Sequence, residues 1–359
     1  MLKAVFVNPS PVSKVLVRAT NWLGDAVISL PAIRAIRNAF PRAHLAVVAR
    51  PWVADLYARE SAIDQMILYT AQKGLAGKRE FARRLRTQGF DCAILLQNAF
   101  DAALMAWMAG IPIRIGYKRD GRSLLLTHSV PVPEPGDIPR HEAFYYLELL
   151  RRVRLLECLP ALQEIRLEGG NPARESGLSR LAALGVGSDV IGISPGAAYG
   201  GAKRWLAERF AEAAATLGSN ALVFGSAAEK TLCEQVAAAL VRSGMSARDL
   251  AGDTSLREFI DLAAACRVFL TNDSGAMHVA AALGVPTVAI FGATDDTKTG
   301  PLSAVTRVVR EHAECSPCLL RECPIDHRCM TRVSSAAVAG AALDLLEENS
   351  PAWTHETKS

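Results

Sequence analysis

The sequence predicts an α/β fold built as two Rossmann-like, doubly wound domains that face each other across a cleft. Three observations point to it. Short apolar runs alternate with segments of helical period along the chain. The alternation pauses near residues 168–175 and then starts again. The chain has 359 residues, 50% of them hydrophobic. That is enough for two cores at roughly 100–200 residues per domain.

The first block opens with the strand KVLVRA at 14–19. Ala26, Val27, Leu30, Ile33, Ile36 and Phe40 follow at helical spacing, and Pro31 either starts that helix or kinks it. HLAVVA (44–49), QMILY (65–69) and CAILLQ (92–97) read as the next strands. Apolar runs of this kind, separated by helices, imply a mostly parallel sheet. The proline-rich PVPEPGDIP (131–139) is a loop, and a helix rich in Tyr and Leu follows it. Gly169, Gly170 and Pro172 in EGGNPARE mark the boundary, which gives domains of residues 1–170 and 171–359.

The second block repeats the alternation. VIGISP (190–195), ALVFG (221–225), VFLTND (268–273) and PTVAIFG (286–292) read as strands. Leu206 to Leu217, Leu256 to Ala265 and Gly275 to Leu283 read as helices. The tail PAWTHETKS is expected to fray.

Composition removes several function classes. The longest stretch without Asp, Glu, Lys or Arg runs from Ser274 to Thr294, but His278, Gly284 and Pro286 and a helix-then-strand pattern argue against a membrane span. MLKAVFVNPSPVSK lacks the apolar core of roughly 7–15 residues that a secretory signal needs, so a cytoplasmic protein is expected. The net charge of +4 hides an asymmetry: residues 1–170 carry 23 basic and 15 acidic side chains, and residues 171–359 carry 17 and 21. The basic half suits an anionic partner or membrane face, with Arg18, Lys118, Arg119 and Arg122 as candidates, or is ordinary solvated charge. Basic residues are dispersed and aromatics make up only 6%, so no nucleic-acid arm is expected.

Cys92, Cys158, Cys233 and Cys266 are expected to pack as small hydrophobes. Cys315, Cys318, Cys323 and Cys329 are clustered, opening with Cys-x2-Cys. They have the count for a structural zinc site near the second domain's end, though with unusual spacing, or they form a reduced cysteine-rich loop.

Ligands of open α/β sheets bind beyond the carboxyl ends of the strands. Four segments lie there. In Thr20-Asn21-Trp22-Leu23-Gly24-Asp25, Asp25 is either a helix cap or a general base. Ser194 to Trp205 carries Gly196, Gly200, Gly201, Lys203 and Arg204, a phosphate-cradle composition that is neither a Walker loop nor Gly-x-Gly-x-x-Gly. In Thr271 to His278, the amides of Ser274 and Gly275 and the Ser274 hydroxyl open a helix. His278 either packs in the core or faces a ligand. Gly292 to Pro301 adds hydroxyls and Lys298.

RATNWLGDAVISLPAIRAIRNAFP, PGAAYGGAKRW, TNDSGAMHVAAALGVPTVAIFGATD and TGP occur in that order over about residues 14–302. Together they resemble the ADP-heptose:lipopolysaccharide heptosyltransferases of glycosyltransferase family 9, and within them the branch that adds the second heptose. The resemblance implies a GT-B fold, with the lipid A–core acceptor on the N-terminal domain and ADP-heptose on the C-terminal one. Asp25 then resembles the catalytic base. Lys203 resembles the lysine that contacts the donor diphosphate, with Ser194 beside it. Glu229 resembles a ribose-binding carboxylate, Thr254 and Leu256 fall at the adenine pocket, and Asp273, Ser274, Gly275 and His278 resemble the donor-binding turn. Gly201 stands where the family often has proline, which would loosen the loop.

The reaction so implied is inverting transfer of heptose to the first heptose of the inner core. It needs a base and positive charge at the leaving ADP, with no catalytic metal or other cofactor. The expected location is the inner face of the inner membrane, bound peripherally. The alternatives are another heptosyltransferase of the family, a GT-B nucleotide-sugar epimerase, and a non-catalytic relative. Few further acids and histidines line the predicted site, which speaks against the epimerase. The presence of Asp25 and Lys203 speaks against the non-catalytic reading.

Overall fold

The computed structural model describes residues 7–70 and 74–349. The stretch read for a secretory signal lies partly outside these residues, and the tail expected to fray lies wholly outside them. The chain separates into two compact units between Gly169 and Gly170, with Thr297–Thr299 grouped with the first.

The first unit holds strands β1 (Lys14–Arg18), β2 (His44–Ala49), β3 (Gln65–Leu68), β4 (Cys92–Leu95), β5 (Ile113–Tyr117) and β6 (His128–Val130). They form one sheet in the order β3-β2-β1-β4-β5-β6, parallel at every pairing. The second unit holds β7 (Ile191–Ser194), β8 (Asn220–Val223), β9 (Ser246–Asp249), β10 (Val268–Asn272), β11 (Thr287–Ile290) and β12 (Thr306–Val309). Its order is β12-β11-β10-β7-β8-β9, again all parallel. Each sheet reverses direction of winding once, between β1 and β4 and between β7 and β10. Such switch points open a crevice at the carboxyl ends of the strands.

The central strands are apolar because helices cover both of their faces. Val15, Leu16 and Val17 of β1 are buried, as are Val268, Phe269 and Leu270 of β10. One core packs Leu16, Val48 and Leu95 against Phe81, Leu85 and Met105. The other packs Ile193, Val223 and Leu270 against Trp205, Phe210, Val236 and Leu345.

Pro31 starts a helix rather than kinking one. The helix Leu23–Ile28 stops at Ser29, and a second helix, Leu30–Ala39, has the proline in its first turn. The Ser29 hydroxyl donates to the Ala26 carbonyl at 2.9 Å. EGGNPARE is not an open linker beyond Gly169. Gly170–Ala183 is one helix, and Pro172 sits in its first turn, where a missing N–H leaves no bond unmade. The Ser274–Thr294 stretch is a helix, Gly275–Ala282, followed by β11. Among the described residues no helix is long and apolar enough to cross a membrane.

Candidate functional site

At the first switch point, β1 runs into the turn Ala19–Trp22. Arg18 builds that turn from inside. Its guanidinium donates to the carbonyls of Ala19 (2.7 Å) and Val48 (3.2 Å) and to Asn21 Oδ1 (3.0 Å). Burial, and then the neighbouring Arg50, bring its pKa down to about 10. The Trp52 indole donates to the Asn21 carbonyl at 2.8 Å. Arg18 is therefore internal and cannot join a basic surface patch. Arg122 is fully buried as well, donating to the Tyr117 and Gln97 carbonyls and to Asn98 Oδ1. Lys118 and Arg119 remain exposed.

Asp25 is the third residue of the helix Leu23–Ile28 and is half-buried. Trp22 holds the cap position, with no side-chain cap bond. Two buried phenols lie near the Asp25 carboxylate. Burial foremost raises the pKa of both Tyr57 and Tyr146, and the Asp25 charge raises them further. Tyr57 is anchored by the hydroxyls of Thr20 (3.2 Å) and Ser29 (3.0 Å). The carboxylate thus lies within electrostatic reach of two buried tyrosines.

At the second switch point Lys203 and Asp273, 70 positions apart in sequence, form an ion pair. Lys203 Nζ lies 2.6 Å from Asp273 Oδ2, with side-chain exposures of 13% and 6%. Thr294 donates its hydroxyl to the same carboxylate oxygen, and the Tyr199 ring lies 4.9 Å under the ammonium. The loop carrying Lys203 is fastened at both ends by one buried side chain. Asn272 Oδ1 accepts the Trp205 N–H at 3.0 Å, and Asn272 Nδ2 donates to the Pro195 carbonyl at 2.6 Å.

Asn272→Ala should leave a buried N–H and a carbonyl unpaired, at a cost on the order of 2–3 kcal/mol. Denaturant unfolding measures this, and an unchanged midpoint would show that the clamp contributes nothing.

The remaining expected residues fall along the same edge of this sheet. Ser194 ends β7, buried, in register with Thr271 of β10. The Ser274 hydroxyl does not point freely outward, because it shares a hydrogen bond with Thr271 Oγ1 at 3.2 Å. Gly275 opens the helix Gly275–Ala282, and His278 is buried one turn in. Glu229 closes a capping box after β8: its Oε2 accepts from the Ser226 amide (2.9 Å) and hydroxyl (2.8 Å). Its Oε1 lies against Gly196, where a Cβ would come within 2.1 Å, so the carboxylate touches the Lys203 loop because that residue is glycine. Thr254 and Leu256 flank Ser255, which caps the helix Leu256–Ala265. Their turn packs on the Glu229 turn through the Gly252 N–H, which donates to the Gly225 carbonyl at 3.0 Å.

Lys203, Asp273 and the Glu229 turn are thus gathered at one sheet edge. Thr254 and Leu256 join them only through packing of the two turns. Lys298 does not: it lies 3.9 Å from Glu142, within the first unit.

Three of the scattered cysteines, Cys92, Cys233 and Cys266, are buried as expected, but Cys158 is exposed. The zinc reading of the clustered four finds no support. Cys329 is a core residue packed beside Gly292, Cys315 is exposed, and among the described residues no group of three or more His, Cys, Asp or Glu is arranged to hold a metal. Burial, and then the nearby Cys315, Cys318 and Cys323, raise the Cys329 thiol pKa.

Residues 78–328 match the family described as "Glycosyltransferase family 9 (heptosyltransferase)". The chain belongs to glycosyltransferase family 9. This family 9 enzyme is 33% identical over 308 residues to lipopolysaccharide heptosyltransferase 2 of Escherichia coli K12, covering 83% of this chain and 88% of that protein. It is 30% identical over 327 residues to lipooligosaccharide heptosyltransferase 2 of Haemophilus ducreyi, covering 83% and 88%. The solved structure of E. coli ADP-heptose lps heptosyltransferase II superposes with a TM-score of 0.78 at 30% identity, covering 93% of this chain and 99% of that one. The glycosyltransferase therefore has the α/β, GT-B fold of that structure.

Four contributors at this sheet edge escape sequence reading as site residues: Asn272, Thr294, Tyr199 and the segment after β12. A polar Thr-Asn-Asp run ending an otherwise apolar strand is the one signal that could have singled out Asn272.

Proposed function

We propose that this glycosyltransferase moves L-glycero-D-manno-heptose from ADP-heptose to the first heptose of the lipopolysaccharide inner core, with inversion at the anomeric carbon. The kinship to heptosyltransferases of lipopolysaccharide core synthesis supports heptose transfer, and it favours neither an epimerase nor a non-catalytic relative. The observation that carries the donor assignment is the Lys203–Asp273 pair: a nearly buried ammonium, held by one carboxylate, at the switch point of the second sheet.

In this reading Asp25 takes the proton of the acceptor hydroxyl. The acceptor oxygen bonds to the anomeric carbon as the bond from that carbon to the β-phosphate oxygen breaks. The electron pair leaves on ADP, where Lys203 meets the growing charge. Asp273 holds Lys203 by one of its three N–H donors and leaves the others for phosphate. The amides of Ser274 and Gly275 add donors at a helix start. Ser194 flanks the diphosphate and His278 backs the turn. Glu229 meets the ribose with the carboxylate edge beside Gly196, and Thr254 and Leu256 line the adenine pocket. The first unit takes the acceptor and the second the donor. Neither step calls on a metal or other cofactor.

Core composition in a deletion strain tests this. Loss of every sugar beyond the first heptose supports the reading, and loss of the first heptose itself contradicts it.

The charge asymmetry of the first unit also fits an anionic lipid surface on the cytoplasmic side. The helix Leu75–Arg86 carries Lys78, Arg79, Arg83, Arg84 and Arg86 against the single acid Glu80. It lies beside the helix Phe100–Met108, joined by the Lys78–Asp101 pair at 2.6 Å. Leu75 and Trp107 on these helices are 51% and 52% exposed, a composition that suits a membrane interface. Binding to vesicles of anionic phospholipid should fall steeply between low and physiological salt, and Arg79→Gln/Arg84→Gln should weaken it. Salt-independent binding, or none, would remove the membrane from this account.

A further inference from the structure

We infer that residues 316–327, the irregular segment between β12 and the short helix Arg328–Thr331, are a brace that fixes the loop carrying Lys203, with Glu322 and His327 as its positioning residues. The inference rests on the reading of Lys203 as the residue that meets the donor diphosphate.

Lys203 lies in a 3₁₀ turn of only three residues, Gly201–Lys203. A turn that short has almost no ladder of its own, and the loop before it is made of small residues. Its geometry must come from outside. Asn272 holds the loop's ends, and the segment after β12 holds its middle. Arg321 accepts the Ala202 N–H on its carbonyl at 2.9 Å. His327 Nε2 lies 2.9 Å from the Ala202 carbonyl oxygen, to which it donates. Glu322 Oε1 accepts the Gly201 N–H at 3.0 Å. Both backbone groups of the residue next to Lys203 are thereby committed to the brace.

Tyr199, the ring under the lysine, is fastened by the same segment. Its hydroxyl donates to the Leu319 carbonyl at 2.7 Å, and the Arg321 guanidinium stacks 5.1 Å from its centroid. The brace also reaches the other side of the ion pair. Ser316 Oγ donates to the Gly292 carbonyl at 2.5 Å, and the Leu319 N–H donates to the Ala293 carbonyl at 2.8 Å. The next residue, Thr294, is the one bonded to Asp273. One segment therefore sets the positions of both partners of the pair.

This accounts for Gly201, which was expected to loosen the loop. A Cβ there would lie 2.4 Å from Glu322 Oε2, and a proline would also lack the N–H that Glu322 accepts. Glycine admits the brace in place of proline's intrinsic stiffness.

The test compares His327→Ala/Glu322→Ala with His327→Gln/Glu322→Gln in the full-length protein. The Gln pair keeps an N–H donor and a carbonyl acceptor. Amide hydrogen exchange at Gly201, Ala202 and Lys203 should quicken about tenfold in the Ala pair, and ADP affinity should fall about tenfold, the effect of losing one to two hydrogen bonds. The donor KM should rise with ADP dissociation while the acceptor KM stays put, and the Gln pair should recover most of both. Unchanged exchange overturns the brace. So does faster exchange with unchanged ADP affinity when Lys203→Ala weakens ADP. If Lys203→Ala itself leaves ADP affinity intact, the donor assignment falls and takes the proposal with it, a failure distinct from an unchanged exchange rate.

Discussion

Asp25→Asn lowers kcat by about 10²–10⁴-fold and leaves ADP affinity where it was, if Asp25 is the general base. The substitution keeps shape and polarity but removes the site that accepts the proton. The alternative role, a helix cap, is already weakened by geometry: Trp22 occupies the cap position and Asp25 lies in the first turn. A carboxylate there still gains something from the helix amides, typically 0.3–1 kcal/mol. That loss would appear in stability and not in turnover. Equilibrium unfolding measured beside kcat separates the two. Near-normal turnover in the Asn variant assigns Asp25 to structure alone.

Lys203→Ala costs donor use far more than acceptor use. A charge-assisted contact to phosphate is worth about 1.5–3 kcal/mol, or roughly ten- to a hundred-fold in ADP affinity, and more at the transition state as charge grows on the leaving oxygen. The variant also strands Asp273 as a nearly buried carboxylate, and breaking such a pair costs about 3–5 kcal/mol of stability. A fall in activity could then reflect a loosened fold. Lys203→Ala/Asp273→Asn resolves it. The double variant should recover stability, because the orphaned charge is gone, yet stay deficient in ADP binding and donor kinetics. Recovery of donor affinity along with stability would mean that Lys203 serves only to neutralise Asp273.

The central strands and the loops after them were legible because burial on two faces leaves an uninterrupted apolar run. HLAVVA coincides with β2, and VFLTND contains β10. β5, β6, β9 and β12 were not singled out. β9 reads SARD and β12 reads TRVV, half-exposed edge strands in which charge interrupts the run. The candidate site divides the same way. Strand-exit loops announce themselves by small residues, hydroxyls and a cation, so Lys203 and the Asp273 turn were visible. Their pairing was not, because nothing local says that residues 70 apart meet.

The arginines show the opposite failure. Arg18 looks in sequence like any other surface cation. Only the tertiary fold shows three backbone and side-chain acceptors closing around it at the end of β1. The segment after β12 drew notice for its thiols. Its contacts with the Lys203 loop run through the carbonyl of Arg321, the carboxylate of Glu322 and the imidazole of His327, all between the cysteines.

The most direct test of the account is a transfer assay with purified protein, ADP-heptose and two core acceptors, one bearing a single heptose and one bearing none. The first should gain one heptose while ADP is released, the second should gain nothing, and ADP-heptose without acceptor should be unchanged. Transfer to the heptose-free acceptor, or conversion of the donor with no acceptor present, would contradict it.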